Sequence, residues 1–393
     1  MKPLNQNKKQ ELEGQEEYSM MDFAPYPFER LNELIKEIKP KKDVIKLTIG
    51  EPQFDTPKNI QDELINNAYL LNKYPASGGE SYLIDSQIGF IKRRFNVDIA
   101  KEQIIPTFGT RECLFNFPTF VFGVLKDKKN KTMAFPNPFY QIYEGSAIAS
   151  GANIIYMNLD STNDYKPHLD EKDLKKVDLV ILNSPNNPTG RILSKSDLES
   201  WVKLALQYDF IVLNDECYSE IYEDSKPHSI LEACISAGNI GFKNVLCINS
   251  ISKRSSAPGL RSGFIAGDAQ ILRPYRLYRT YIGVACPIPL QKAAVVAWSD
   301  DKSPEIFRKK YIKNLAYARE ILEVDVSPYT FYVWLKVNDD LEFTKKLYEN
   351  EGILVLPGRF LGRKGAGSGN IRLALVYEEN IIVDVLERLK KWI

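Results

Sequence analysis

Short apolar runs alternate with segments of helical periodicity between residues 100 and 270, and this alternation is what most constrains the fold. The runs are TMAF (132–135), NIIYMNL (153–159), VDLVILN (177–183), FIVLNDE (210–216), NVLCINS (244–250) and GFIAG (263–267). Between two of them, residues 194–209 place apolar side chains at helical spacing and open with Ser-x-x-Asp, close to a capping box. Short strands that alternate with helices predict an α/β protein with a largely parallel sheet flanked by helices.

The length of 393 residues exceeds that of a typical single domain, so we expect a large domain and a smaller companion. Residues 1–45 are charged and are interpreted as an N-terminal arm that also contributes to the small domain. Residues 46–285 contain the alternating pattern and form the predicted large domain. In residues 286–393 long helical stretches surround two strand-like runs, which predicts a small α+β domain.

Composition excludes several classes of function. The 52 basic and 51 acidic residues give a formal charge of +1, which offers no bulk attraction for nucleic acid or an anionic membrane. Five cysteines without a CxxC pair fit reduced thiols, and we see neither a membrane-spanning run nor a signal peptide. We therefore expect a cytoplasmic protein. The two histidines, His168 and His228, lie in polar stretches, and we predict no metal site.

Polar residues follow three of the apolar runs, at the carboxyl ends of strands where ligands gather in such sheets. Asn187, in the loop SPNNPTG, can donate a hydrogen bond to a ligand, although a plain strand-to-helix turn explains the loop equally well. Asp215 ends its run as a carboxylate that needs a cationic partner if it is buried. A protonated pyridine nitrogen would serve as that cationic partner. The alternative interpretation of Asp215 is a metal ligand or a helix cap.

Lys253 follows the third of these strand ends, within SISKRSSAPGLRSGF (250–264). The hydroxyls of Ser250 and Ser252 and the guanidinium of Arg261 suit a phosphate group, which would leave the lysine free to form an imine with a cofactor. A solvated surface charge is the alternative interpretation of that lysine.

Two further segments add candidates for the same site. In TFGTREC (107–113), the amides of Gly109 to Arg111 open a helical segment toward an anion, and the side chains of Thr110 and Arg111 could add contacts. Tyr140, in PNPFYQIY, follows a strand and could stack on a planar heterocycle, although an ordinary core aromatic is equally consistent with that segment.

The succession of Asn-Pro-Thr-Gly, Asp-x-x-Tyr, Ser-x-Ser-Lys and Pro-Gly-Leu-Arg resembles the class I/II, fold-type I aminotransferases that use pyridoxal phosphate. TIGEP (48–52), the Y-P-A-S-x-G string (74–79) and IRLAL (371–375) extend the resemblance over nearly the whole chain. It implies a large, mostly parallel sheet of seven strands with a smaller α+β domain. It also implies a homodimer in which Tyr74 contributes to the partner subunit's site.

The resemblance also implies roles for individual residues. Lys253 matches the Schiff-base lysine and proton shuttle, and Asp215 matches the partner of the pyridine nitrogen. Asn187 and Tyr218 match the positions that bond the ring hydroxyl, and Tyr140 matches the stacking ring. The positions that match the phosphate cup are Gly109, Thr110, Arg111, Ser250, Ser252 and Arg261. Arg372 and the Gly50 backbone match the clamp on the substrate α-carboxylate.

Longer strings, among them FAPYPFERL, DECYSEIY and VLPGRFLG, look like the N-succinyldiaminopimelate aminotransferases of lysine and diaminopimelate synthesis. That likeness implies transfer of an amino group from glutamate to N-succinyl-2-amino-6-oxopimelate. Arg359 and Arg363 are candidates for contacts with the distal end of the substrate. The alternatives are an aspartate or LL-diaminopimelate aminotransferase, a β-lyase on the same fold, and a non-catalytic regulator that binds the cofactor.

Overall fold

The computed structural model of the chain describes residues 23–125 and 131–393, so residues 1–22 of the predicted arm lie outside it. The strands, in chain order, are β1 (Ile45–Lys46), β2 (Ile104–Thr107), β3 (Thr132–Asn137), β4 (Asn153–Asn158), β5 (Leu179–Asn183), β6 (Ile211–Asp215), β7 (Val245–Ser250), β8 (Gly263–Gly267), β9 (Tyr332–Lys336), β10 (Ile353–Leu354), β11 (Leu356–Pro357) and β12 (Asn370–Ala374).

The α-helices, in chain order, are α1 (Pro27–Ile35), α2 (Lys58–Asn66), α3 (Ser81–Phe95), α4 (Thr110–Phe120), α5 (Ile142–Ala149), α6 (Glu171–Leu174), α7 (Lys195–Tyr208), α8 (Ile230–Ser236), α9 (Ile251–Arg254), α10 (Ala269–Ile282), α11 (Ile288–Ser299), α12 (Lys302–Leu322), α13 (Asp340–Glu351) and α14 (Glu379–Lys390). In the part of the chain that the structure describes, no helix is both long and apolar enough to cross a membrane.

Seven strands form the central sheet, in the order β2-β8-β7-β6-β5-β3-β4. All neighbours run parallel except β8, which is antiparallel to both β2 and β7. Each of the six apolar runs forms one of these strands, so the prediction of a mostly parallel sheet is confirmed. Side chains of β6 alternate between two apolar cores: Val212 packs in one with Trp201, and Leu213 packs in the other with Phe135. Helices therefore cover both faces.

Helix α7 shows how local sequence sets these elements. The Ser194 hydroxyl accepts a hydrogen bond from the Asp197 amide at 3.1 Å, and the Asp197 carboxylate accepts one from the Ser194 amide at 3.0 Å. This is the reciprocal capping box that the sequence predicts. Trp201 and Val202 are buried on the sheet side, and the helix ends at Tyr208, followed by the C-cap Asp209 with a left-handed φ of 55°.

A smaller antiparallel sheet has the order β11-β12-β9. Strand β1 pairs in parallel with β10, and the Ala374 amide donates a hydrogen bond to the Leu47 carbonyl at 2.8 Å. Leu47 is fully buried in the apolar core that this sheet shares with α12 and α14. The segment after the N-terminal arm is therefore tied to the C-terminal part of the chain.

The predicted domain limits at residues 45 and 285 stay a prediction. Helix α11 packs against α2 and α3, which cover the large sheet. Its Trp298 lies 5.0 Å from Phe90 and 5.2 Å from Phe264, measured between ring centroids. We propose from this packing that the large domain extends through Ser299.

Candidate active site

A cavity of about 1150 Å³ lies at the carboxyl ends of β5, β6 and β7 and at the start of α4. Most of the residues that the sequence nominates line it: Gly50, Thr110, Arg111, Tyr140, Asn187, Asp215, Tyr218, Ser250, Ser252, Lys253, Arg261 and Arg372. Gly109 adjoins the cavity as the N-cap of α4. Tyr74 is fully exposed on this chain and contributes nothing to its own cavity.

Lys253 lies in α9, the single turn that follows β7, and its Nζ donates a hydrogen bond to the Gly50 carbonyl. Burial lowers the pKa of Lys253 to about 8, and the positive charges of Arg372 and Arg261 act in the same direction. Since a neutral amine is the nucleophilic form, the site provides an activated lysine close to neutral pH.

Asp215 ends β6 inside the protein. Its Oδ2 accepts a hydrogen bond from the Tyr143 hydroxyl at 2.8 Å, and its Oδ1 accepts one from the Cys217 amide at 3.2 Å. Burial raises the pKa of Asp215, and no basic side chain among the described residues forms an ion pair with it. A buried carboxylate without a cation matches a ligand that brings its own positive charge, such as a protonated pyridine ring.

The start of α4 and the Arg261 side chain form a cup suited to an anion. Gly109 has a φ of +72°, and a Cβ added there would lie 2.1 Å from Nη2 of Arg261, so only glycine allows this approach. The first-turn amides of α4 have no partner within the helix. Ser250 and Ser252, whose hydroxyl oxygens are 2.9 Å apart, complete the cup. These groups fit a phosphate.

The Arg111 side chain differs from the role that the resemblance implies. Its Nε donates a hydrogen bond to the Tyr140 hydroxyl at 2.8 Å, and its Nη2 donates one to the Tyr26 hydroxyl at 3.3 Å. The guanidinium is therefore engaged with two tyrosines rather than with the serines of the cup. The main-chain amide of Arg111, in the first turn of α4, can still donate to a phosphate, and the two tyrosine contacts use only part of the donor capacity of the guanidinium.

Arg372, in β12, reaches the cavity from the smaller sheet. Its Nη1 donates to Oδ1 of Asn187 at 2.7 Å, and its Nη2 donates to the Thr48 carbonyl at 2.5 Å. Its Nε is buried and has no hydrogen-bond partner among the residues that the structure describes. A buried guanidinium with an unused donor fits an anionic ligand such as a carboxylate.

Three tyrosines of the site escaped the sequence analysis. The Tyr143 hydroxyl donates a hydrogen bond to Asp215, and the Tyr26 hydroxyl accepts one from Arg111. The hydroxyl oxygens of Tyr332 and Tyr218 lie 3.1 Å apart. Tyr143 is three residues after Tyr140, a helical spacing that could have signalled a shared face. No comparable signal marks the other two.

Arg359 and Arg363, the candidates for distal contacts, do not line the cavity. Arg359 forms a salt bridge of 2.6 Å with the buried carboxylate of Asp340. Arg363 forms one with Glu144. Both guanidinium groups are therefore committed to structural pairs.

An activated lysine, a buried carboxylate without a cation and an anion cup, gathered at the carboxyl ends of a mostly parallel sheet, define a fold-type I enzyme that holds pyridoxal phosphate. The chain belongs to the aminotransferase class I and II family, whose model matches residues 42–389. It is a transaminase, and the predicted fold class and cofactor are confirmed.

Known proteins resemble the chain over nearly its whole length. The crystal structure of the aminotransferase AspB from Helicobacter pylori is 55% identical, with a TM-score of 0.92 over 94% of this chain and 98% of that one. An aminotransferase from Neisseria meningitidis is 37% identical, with a TM-score of 0.89 over 95% and 99%. The LL-diaminopimelate aminotransferase of Aquifex aeolicus is 30% identical over 94% of this chain and 96% of its own.

Proposed function

We propose that this aminotransferase carries the amino group of glutamate to N-succinyl-2-amino-6-oxopimelate, forming N-succinyl-LL-diaminopimelate and 2-oxoglutarate for lysine and diaminopimelate synthesis. The observation that carries the proposal is a second guanidinium, Arg111, which lines the 1150 Å³ cavity in addition to Arg372 and outside the phosphate cup. A long substrate with carboxylates at both ends suits two such groups. The relatives named LL-diaminopimelate aminotransferase also support a substrate with the diaminopimelate carbon skeleton.

The side chains have separate tasks in this proposal. Pyridoxal phosphate, when bound, supplies the aldehyde that combines with amines and the ring that delocalises a carbanion. Lys253 takes a proton from the α-carbon of the amino donor, and in the second half of the exchange it gives a proton to the α-carbon of the product. Asp215 keeps the ring nitrogen protonated, and Arg372 holds the α-carboxylate so that the Cα–H bond faces the lysine amine.

The absorption spectrum of the purified protein, recorded before and after N-succinyl-LL-diaminopimelate is added alone, tests this function. Conversion of the cofactor band at concentrations where aspartate has no effect is the expected result. A band that responds only to aspartate or LL-diaminopimelate would replace the substrate and keep the enzyme class. A Lys253→Ala variant should retain its fold and lose turnover, and substantial residual transamination would contradict the role of the lysine.

An aspartate or LL-diaminopimelate aminotransferase is the second candidate. The structure titled AspB, at 55% identity, and the LL-diaminopimelate relatives favour it. The same titration decides between them, because each candidate predicts a different amino acid that converts the band at the lowest concentration. Release of ammonia and pyruvate from a β-substituted amino acid would instead indicate a β-lyase. A bound cofactor that no amino donor converts would indicate a regulator.

We also propose a homodimer with shared sites. Exposed apolar side chains lie on two neighbouring stretches, which the 2.9 Å contact between the hydroxyls of Ser77 and Thr280 joins. They are Ile65, Tyr69, Leu71, Tyr74, Leu277, Tyr281 and Ile282. An apolar face of this kind marks a protein interface. Sedimentation should give twice the chain mass, and a Tyr281→Glu variant should shift the equilibrium toward monomer and lower activity; a monomeric, fully active wild type would contradict the proposal.

A further inference from the structure

Tyr332 lies at the junction of three groups of the site, and the functions described so far leave it without a role. It is the first residue of β9 and is buried. Its hydroxyl oxygen lies 3.1 Å from that of Tyr218. The guanidinium carbon of Arg372 lies 4.3 Å from the centroid of its ring. A Cβ added at Gly50 would lie 1.9 Å from the Tyr332 hydroxyl, so glycine is needed there for the two segments to pack.

The hydroxyl contact has a chemical consequence for Tyr218. Both tyrosines are buried, and a buried hydroxyl without a partner is unfavourable, so the two hydroxyls stay bonded to one another. When the Tyr332 hydroxyl donates, the Tyr218 oxygen accepts and its own proton remains available to a ligand in the cavity. Tyr332 thereby fixes the position of the Tyr218 hydroxyl, and when it donates it also sets the direction of that hydrogen bond.

The ring contact has a separate consequence for Arg372. A guanidinium over the face of an aromatic ring is attracted by the ring quadrupole, and the attraction strengthens when both groups are away from water. The hydrogen bonds to Asn187 and Thr48 hold one edge of the guanidinium, and the Tyr332 ring supports its plane. The orientation of the guanidinium plane, with its unused Nε donor, therefore depends on that ring.

We infer that Tyr332 is a positioning residue that aligns Tyr218 through its hydroxyl and Arg372 through its ring, and so couples the cofactor side of the site to the carboxylate clamp. The inference rests on the roles proposed for Tyr218 and Arg372, but not on which acceptor the enzyme uses. The two contacts come from different parts of one side chain, so two substitutions separate them.

Tyr332→Phe removes the hydroxyl and keeps the ring. The pH at which the absorbance band of the bound cofactor titrates should shift by half a unit or more, because Tyr218 loses its fixed partner. The Kd of the cofactor-free protein for pyridoxal phosphate, measured by fluorescence, should rise several-fold. The KM for glutamate should stay within about twofold of wild type. Tyr332→Leu also removes the ring, and the KM for glutamate should then rise about tenfold or more.

Tyr311→Phe is the matched control. Tyr311 is buried in the same aromatic cluster, 5.1 Å from Phe331 between ring centroids, and its hydroxyl has no hydrogen-bond partner among the described residues. Loss of the Tyr311 hydroxyl should leave unchanged the pH at which the cofactor band titrates, the Kd for pyridoxal phosphate and the KM for glutamate. The control therefore separates a general effect of removing a buried hydroxyl from the loss of the contact with Tyr218.

Two results would overturn the inference. If the cofactor band of Tyr332→Phe titrates at the same pH as in the wild type, the Tyr332 hydroxyl does not align Tyr218. If Tyr332→Leu raises the KM for glutamate no more than Tyr332→Phe does, the Tyr332 ring does not hold Arg372. The phenylalanine variant removes a single oxygen atom, so it decides the first question even where the leucine variant fails to fold. A wild-type protein without any cofactor band would refute the proposed function instead, which keeps the two failures distinguishable.

Discussion

Replacing Lys253 by methionine should make the cofactor-free protein more stable at pH 7, because the folded state then no longer buries an ammonium group. Burial lowers the pKa of this lysine from its ordinary value of 10.5 to about 8. At 1.36 kcal/mol per pKa unit this difference corresponds to about 3 kcal/mol of lost stability. Methionine also removes the hydrogen bond to the Gly50 carbonyl, which contributes about 1 kcal/mol. The expected net gain is about 2 kcal/mol.

The size of the stability gain depends on pH in a defined way. Below pH 8 the lysine is protonated in both states and the folded protein bears the full cost. Between pH 8 and 10.5 the unfolded chain holds a proton that the folded chain has released, so the stability of the wild type rises with pH. The advantage of the methionine variant is therefore largest at pH 7 and disappears as the pH approaches 10.

Thermal unfolding of the cofactor-free proteins at one fixed protein concentration is the assay. For a chain of 393 residues a gain of 2 kcal/mol raises the Tm by about 2 to 3 °C. Lys203→Met, at an exposed position of α7, is the control and should leave the Tm unchanged at both pH 7 and pH 9.5. The reasoning is refuted if the Lys253 variant is no more stable than wild type at pH 7, or if its advantage is the same at both pH values.

Three further predictions concern the site and the fold. Gly109→Ala should displace the Arg261 guanidinium and raise the Kd for pyridoxal phosphate at least about tenfold in a fluorescence titration. The control is Gly151→Ala, which is also at positive φ but has open space around it and should leave the Kd unchanged. Equal affinities of the two variants would argue against the phosphate cup. Asp215→Asn should lower kcat on the order of 100-fold or more in a glutamate-dependent assay, since a neutral amide cannot hold a ring cation, and near-normal turnover would contradict its role. Ser194→Ala should lower the free energy of unfolding by about 1 kcal/mol in urea without changing KM, and an unchanged midpoint would discount the capping box.

The central sheet was largely predictable because its strands, apart from the edge strand β4, are buried on both faces and read as continuous apolar runs. Strand β2 was missed, since its four residues include Pro106 and a proline argues against a strand. The structure explains the exception: β2 lies at one of the two edges of the sheet, and among the described strands it pairs with β8 alone. The antiparallel direction of β8 was equally hidden, because direction depends on the path of the short connection after Ser250 and not on apolar pattern.

The candidate site was predictable where a strand end carries a polar residue, as at Asp215 and Lys253. The Arg111 side chain was assigned to phosphate because the motif fixes only its backbone position. Whether the guanidinium turns toward the cup or toward Tyr140 depends on tertiary neighbours distant in sequence. Tyr332 was missed for a related reason, since an aromatic residue in an apolar strand has the same pattern whether it fills a core or faces a cavity.

The pairing of β1 with β10 has a consequence for how the enzyme is made. About 300 residues of chain separate the two strands. A ribosome that adds about 5 to 20 residues per second needs roughly 15 to 60 s to synthesise that interval. The central sheet and the turn that carries Lys253 are synthesised within this interval, whereas Arg372, which bonds the Thr48 carbonyl, is added only after β10. Within one chain, the proposed carboxylate clamp is therefore completed after all residues of the proposed phosphate cup, so we expect a nascent chain to form that cup before it can hold a substrate.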